Sequence, residues 1–125
     1  METNQHELGG IKYTVKGYGI LVEIEAIPEN SSTIVIPGAE QKREAYLAAR
    51  HTGWVRAIGK CAFNDEVEER CKVGDKILFS SYSGRDLNRD EENRLRKDQP
   101  LLRVMVDKDV MCVIEDIKRE GKDNV

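Results

Sequence analysis

The sequence predicts a small all-β protein, a mostly antiparallel β-barrel formed by one domain that spans residues 1–125. Several short segments alternate apolar and polar residues with the period of two that is typical of half-buried strands. Turn residues separate these segments at fairly regular intervals, which favours a barrel. Apolar residues make up 39% and charged residues 34% of the chain, so a folded protein with a modest core is expected.

The first two strands are expected at residues 11–15 and 20–27. The second has one apolar face and one acidic face, because its large aliphatic side chains recur at every other position. These apolar positions are Ile20, Val22 and Ile24. Pro28 ends the strand, since proline lacks the N–H group that a sheet ladder requires. The ten residues before the first strand are expected to form a loose N-terminus.

A long polar loop, residues 28–52, carries three consecutive apolar β-branched residues, which are Ile34, Val35 and Ile36. A loop lies at the surface because its backbone polar groups need water, so hydrophobes at its centre would be exposed. Exposed apolar groups often bind a partner. A short buried strand is the other interpretation of the same three residues. Residues 39–50 are strong helix formers and predict a partly helical, mobile segment.

Four further strands are expected after the loop. In the first, residues 53–59, one face carries Trp54, Arg56 and Ile58 and the other carries Val55 and Ala57. The others are expected within 73–82, 101–106 and 109–116, where apolar residues again alternate with polar ones. Cys112 is expected to act as a small core residue in the last strand.

Three segments between or after these strands are predicted to lack a regular strand. Residues 60–72 predict a small acidic excursion or a hairpin, with a turn at Asn64 and Asp65. Residues 84–100 are dense in charge of both signs and predict a surface insertion, with one weak helical turn at 91–96. The polar tail, residues 117–125, is expected to be loose.

The sequence offers no chemistry that points to an enzyme. The two histidines, His6 and His51, fall in the expected loose N-terminus and loop, away from any nucleophile. No nucleotide-binding or metalloprotease motif occurs, so no catalytic residue and no cofactor are predicted. The three cysteines have no metal-site spacing and are expected to be reduced thiols, without a metal. They are Cys61, Cys71 and Cys112.

Charge and hydropathy exclude two classes of partner. The net charge is −3, which provides no basic surface for nucleic acid. The longest apolar runs are too short to cross a membrane, and the first residues do not resemble a secretory signal. A cytoplasmic protein is therefore expected, with neither nucleic acid nor membrane as a partner.

The order of landmarks resembles that of the GroES-like co-chaperonins. An apolar strand is followed by a polar loop centred on I-V-I, then G-W-V-R-A-I-G, K-V-G-D-K-I-L-F and V-M-V-D-K-D-V-M-C-V-I-E-D. These segments span residues 17–116. The resemblance implies a GroES-like barrel whose subunits assemble into a seven-membered ring and enclose an unfolded client. It also implies that Ile34, Val35 and Ile36 dock between two apical helices of a large ATP-driven chaperonin.

The resemblance further implies a subunit interface between the first strand of one subunit and the last strand of its neighbour. Here those strands would lie within 19–25 and 110–116. The interface residues would be Ile20, Val22, Ile24, Val110, Cys112 and Ile114. Ring closure would remove the aggregation hazard of two long apolar edges. Core strands within a monomer are the other interpretation.

Three departures from the family pattern bear on function. The loop and the charged segment 84–98 are longer than usual, and residues 59–73 lack the glycine-rich character of the family's roof hairpin. A reduced roof would leave a roomier dome, which is reminiscent of virus-encoded co-chaperonins that act with a host chaperonin in the host cytoplasm. One alternative function is a β-barrel module that binds an unrelated protein through the same loop. Another is a fragment of a zinc-dependent dehydrogenase, but the nucleotide domain and zinc ligands are missing.

Overall fold

The computed structural model describes residues 3–25, 50–94 and 99–115, and these ranges form an all-β structure. Its elements are β1 (Gln5–Leu8), β2 (Ile11–Thr14), β3 (Gly19–Ile24), β4 (Thr52–Ile58), β5 (Lys76–Leu78), β6 (Arg85–Asp86), β7 (Leu102–Val106), a 3-10 turn (Asp107–Asp109) and β8 (Cys112–Ile114). Within the described ranges, no helix is long and apolar enough to span a bilayer. The predicted all-β class is confirmed.

Six strands form one sheet in the order β6-β7-β3-β4-β5-β8, and every neighbouring pair is antiparallel. The central strand β3 has four buried residues among its six, and it pairs with β4 on one side and β7 on the other. Strands β1 and β2 form a separate antiparallel pair. The predicted antiparallel arrangement is therefore correct.

The sheet buries side chains on both faces, because successive residues of a strand point to opposite sides. The larger apolar cluster contains Ile20, Val22, Ile24, Val55, Phe63, Cys71, Ile77, Phe79, Leu101, Met105 and Val110. The smaller cluster contains Val15, Leu21, Ala57 and Leu102. The predicted half-buried β3 is thus buried on both faces.

A β-bulge changes the expected pattern of β4. Leu21 pairs with Ala57, but the next residue of β3, Val22, pairs with Val55, so Arg56 is the extra residue. A bulge shifts the side chains on one side of it to the opposite face. Val55 therefore packs in the larger cluster and Ala57 in the smaller one, and the prediction that they share a face is wrong.

The N-terminal residues form a hairpin, so the prediction of a loose N-terminus is wrong for 5–8. Gly9 and Gly10 have φ angles of +60° and +80°, which only glycine adopts readily. These angles suit the two-residue turn that joins antiparallel strands with their natural twist. Leu8 and Tyr13 then pack against the smaller apolar cluster. His6 lies in β1, in a strand rather than a loose segment.

Residues 60–75 leave the sheet as a series of turns and contain no strand, so the hairpin interpretation is wrong. Phe63 takes a positive φ of 67°, and its N–H donates to Oδ2 of Asp107 at 2.7 Å. Both residues are buried. The excursion is thereby held against the 3-10 turn at the start of the last segment.

The charged segment is partly integrated in the sheet instead of being a surface insertion throughout. Asp86 of β6 pairs with Arg103 of β7 at 3.0 Å and with Arg89 at 2.7 Å. Asn88 is buried, and its side-chain oxygen accepts a hydrogen bond from Leu102 N at 2.9 Å. Residues 91–94 form no helical turn, and residues 95–98 lie outside the described ranges.

The last strand is shorter than predicted, because the 3-10 turn occupies 107–109 and β8 begins at Cys112. Cys112 is exposed, so its expected role as a core residue is wrong. Val110 and Val113 pack toward the core instead, since the chain between them does not keep strand alternation. The predicted tail, 117–125, and the predicted helical segment through residue 49 lie outside the described residues.

Candidate partner-binding loop and its base

The predicted docking tripeptide, Ile34, Val35 and Ile36, lies outside the described residues, but both ends of its loop are described. Residues 26–49 connect the end of β3 to the start of β4, which are neighbouring antiparallel strands. Glu25 N donates to Thr52 O at 3.1 Å, one step beyond the last paired residues of the ladder. The loop therefore leaves and re-enters the sheet at adjacent positions.

Four polar side chains meet at this point, and we name them the loop-base cluster: Glu25, Arg50, Thr52 and Lys76. The Glu25 carboxylate is at its centre. Thr52 Oγ1 donates to Glu25 Oε1 at 2.6 Å, and Arg50 Nη2 pairs with the same oxygen. Lys76 Nζ donates to the other oxygen, Oε2, at 3.2 Å. Arg50 Nη2 also donates to Thr52 Oγ1 at 3.0 Å, so the contacts close a ring.

These contacts stabilise the ionised form of Glu25. The hydrogen bond from Thr52 lowers the pKa of the carboxyl most, and Lys76 and Arg50 lower it further, while partial burial opposes them. Glu25 is therefore an anion at neutral pH. Lys76 also lies 5.5 Å from the centre of the Trp54 ring, which adds a cation–π contact from β4.

The returning end of the loop is also fixed to the core through its backbone. His51 O accepts a hydrogen bond from Phe79 N at 2.8 Å, and Phe79 is 1% exposed in the larger apolar cluster. The next residue, Thr52, is buried although the predicted loop extended to it. The chain is thus bonded to the core at His51, directly before β4 begins at Thr52.

Four of the predicted interface residues lie in the core of the single chain. Ile20, Val22, Ile24 and Val110 are at most 1% exposed, because they fill the larger apolar cluster. Both edges of β3 are occupied, by β4 and β7. These side chains offer no exposed surface in the single chain, and their assignment to an interface stays a prediction.

The other two predicted interface residues lie on an open edge. Cys112 is exposed and Ile114 is half-buried, and both belong to β8. Among the described strands, β8 pairs only with β5. Its second edge carries the unpaired backbone groups that can accept another strand.

The described residues hold no group of three or more His, Cys, Asp or Glu side chains that could bind a metal ion. All three cysteines are free thiols, of which only Cys71 is buried. The structure therefore directs attention to the loop base and the open edge of β8.

Comparison with known proteins agrees with this architecture. The family model for the chaperonin 10 kDa subunit matches residues 14–114, which include the loop, its base and β8. The chain belongs to the chaperonin 10 kDa subunit family. It is a co-chaperonin, as the resemblance of its segments to the GroES-like proteins implied.

Curated relatives in this family are similar over most of their own length. The chain is 35% identical over 89 residues to co-chaperonin GroES of Clostridium novyi, covering 69% of this chain and 88% of that protein. It is 34% identical over 100 residues to co-chaperonin GroES of Clostridium kluyveri, covering 77% and 89%. The protein of the same name from Hydrogenovibrio crunogenus is 29% identical over 99 residues, covering 77% and 90%.

Sequence reasoning missed the loop-base cluster because its members are far apart along the chain. Glu25 precedes Thr52 by 27 positions and Lys76 by 51 positions. Only the pairing of β3 with β4 and of β4 with β5 brings them together. The sequence itself showed only that Glu25 lies at the end of one predicted strand and Thr52 directly before the next.

Proposed function

We propose that this co-chaperonin forms a seven-membered ring that caps a large ATP-driven chaperonin and encloses an unfolded client protein. Each subunit docks through Ile34, Val35 and Ile36. One observation carries the proposal: the connection that contains these residues starts and ends at adjacent, cross-linked strand ends. A rigid base of this kind supports a loop that reaches toward a partner, as the resemblance to the family implies.

The energetics suit a reversible lid. Burying a large aliphatic side chain contributes ~1.5 to 3 kcal/mol, so three of them give a modest gain from which the ordering of the loop must be subtracted. One loop alone therefore binds weakly. Seven loops tethered to one ring bind tightly together, because each docked loop raises the effective concentration of the next.

The ring interface in this proposal uses the open edge of β8 and the β1–β2 hairpin of the next copy. No described strand of the same chain pairs with the outer edge of β8 or with either outer edge of the hairpin. Antiparallel pairing of two such edges would satisfy their backbone groups and close the ring. Cys112 and Ile114 would then lie in the interface, and the buried residues of β3 would support it from within.

The proposal assigns no catalytic step to this chain. ATP hydrolysis belongs to the chaperonin, whose cycle changes the grooves that hold the loops and thereby releases them. The co-chaperonin needs neither a metal nor a cofactor, and it acts where the chaperonin acts, in the cytoplasm.

The test is the mass of the protein by analytical ultracentrifugation, alone and with a large bacterial chaperonin and ADP. We expect a ring of about seven subunits that co-sediments with the chaperonin only when nucleotide is present. Substitution of Ile34→Asp should abolish co-sedimentation and leave the ring intact, because a charge cannot enter an apolar groove without a partner.

Val67→Asp is the matched control, since it places the same charge on a fully exposed aliphatic residue outside the loop. It should bind the chaperonin like the unchanged protein. A monomer that ignores the chaperonin would contradict the proposal and favour a barrel that binds another protein through this loop. Normal binding by the Ile34→Asp protein would contradict the assignment of the tripeptide.

A further inference from the structure

We infer that the loop-base cluster positions the loop for docking, with Glu25 as the central positioning residue, and that opening the cluster weakens capture of the chaperonin. This inference rests on the proposed function, because it concerns the same loop. It goes beyond it by assigning a role to four residues outside the docking tripeptide.

The cluster is built to hold the two ends of the loop at a fixed separation. Glu25 is the last described residue before the loop, and Arg50 is the first after it. Their side chains pair directly, and Thr52 joins both of them through its hydroxyl group. Lys76 extends the contacts to β5. Three strands are therefore tied together at the place where the loop begins.

Without these contacts the end of the β3–β4 ladder is weak. The outermost described backbone bond is the one from Glu25 N to Thr52 O, at 3.1 Å, and the residue that follows Thr52 is Gly53, which has no side chain to pack. Strand ends with few apolar contacts open most readily. Thr52 is also held by its pairing with Leu78 of β5, so the charged side chains are the main support of this rung on the Glu25 side.

Opening the cluster lengthens the tether of the docking residues. The connection 26–49 has 24 residues, and release of Glu25 and Arg50 would extend it to about 26, because Ile24 and His51 stay bonded to Leu101 and Phe79. Effective concentration falls roughly as the −3/2 power of tether length, which weakens each tethered docking step by about 1.1-fold. Six of the seven docking steps in a ring are tethered, so together they weaken its binding about twofold.

The chain contains a matched pair that separates positioning from stability. Glu23 and Arg56 join the same two strands through an ion pair of 2.9 Å, and their side chains are similarly exposed to those of Glu25 and Arg50. This pair lies farther inside the ladder, away from the loop. Its loss should cost comparable stability without lengthening the tether.

The experiment measures the affinity of the assembled ring for a large bacterial chaperonin in ADP. We expect Glu25→Gln to weaken binding about twofold and Glu23→Gln to leave it unchanged. Thr52→Val keeps the shape of the side chain without its hydroxyl group and should behave like Glu25→Gln. Thr52→Ser restores the hydroxyl group and should restore affinity.

A second readout reports on the base directly. Hydrogen exchange at the Glu25 amide should speed up in Glu25→Gln and Thr52→Val but not in Glu23→Gln, because that amide forms the outermost bond. Added salt should speed it in the unchanged protein and have less effect in Glu25→Gln, since partly exposed ion pairs are screened.

The outcomes distinguish the two proposals. Failure of the unchanged ring to bind the chaperonin would overturn the proposed function. Normal binding by the unchanged ring, with equal affinities for Glu25→Gln, Thr52→Val and Glu23→Gln, would overturn only the positioning role. Should Glu25→Gln not fold, the pair of Thr52 variants decides the question.

Discussion

Two segments leave the sheet, and they are anchored differently. The loop 26–49 is anchored at its base, whereas the excursion 60–75 is anchored along its length. At the loop base, partly exposed charged side chains join the two ends. In the excursion, the buried carboxylate of Asp107 accepts the Phe63 N–H, and Arg70 donates to the carbonyl groups of Lys108 and Val110 at 3.1 and 2.9 Å. The first anchor joins the two ends of its segment, whereas the second also holds the interior of its own.

The difference follows from burial. A hydrogen bond to a buried charged group is costly to break, because the partner left behind is desolvated. A partly exposed ion pair is exchanged for water at little cost and is weakened by salt. The protein thus has an adjustable anchor at the base of the proposed docking loop and a more permanent one at the excursion.

The substitution with the largest expected effect is Asp107→Ala, which removes the buried anchor of the excursion. We expect the free energy of unfolding in urea to fall by about 2–3 kcal/mol, because Phe63 N would remain buried without an acceptor. Asp109→Ala is the control, since Asp109 accepts the exposed Val106 N at 3.1 Å, and it should cost less than about 1 kcal/mol. Equal losses would mean that burial does not distinguish the two carboxylates.

A somewhat smaller loss is expected for Gly53→Ala, which tests the backbone of the loop base. The added Cβ would lie 2.5 Å from Glu23 O and 2.7 Å from Val22 Cγ1, so the strands must shift. We expect a loss of about 2 kcal/mol. Gly59→Ala, at the other end of β4, meets Gly17 O at 2.3 Å and provides the comparison. Only the Gly53 variant should speed amide exchange at Glu25; equal acceleration by both would argue against a local effect.

The smallest perturbation uses a thiol reagent to test whether the excursion opens. Burial, with smaller effects from Asp75 and Glu69, raises the pKa of the Cys71 thiol to about 12, whereas Cys61 and Cys112 are exposed. The thiolate is the reactive form, so at pH 8 a thiol reagent should label Cys71 roughly a thousandfold more slowly than an exposed cysteine of ordinary pKa. Mass spectrometry of the labelled protein would show this. Labelling of Cys71 at the same rate would mean that the excursion opens freely.

The sequence predicted the parts of this fold that depend on local alternation. Ile20, Val22 and Ile24 are buried on one face, and Ile77 and Phe79 are buried as their period of two indicated. The family could also be predicted, because several short landmarks occur in the expected order. Each of these inferences needs only neighbouring residues.

The failures have two physical causes. Long-range pairing decided that β3 is a central strand, that Arg56 forms a bulge and that Cys112 lies on an edge, and no local pattern reports such pairing. The N-terminal hairpin is a different case. Its Gly9-Gly10 turn was readable from the sequence, but the polar residues of β1 concealed the strand before it.

That hairpin changes where the folding unit begins. The family model starts at residue 14, the last residue of β2, yet Leu8 and Tyr13 lie over the cluster formed by Val15, Leu21, Ala57 and Leu102. A protein trimmed to the boundaries of family similarity would carry that cluster uncovered and would be prone to associate through it. The match to the family model therefore begins inside the folding unit, which extends closer to the N-terminus.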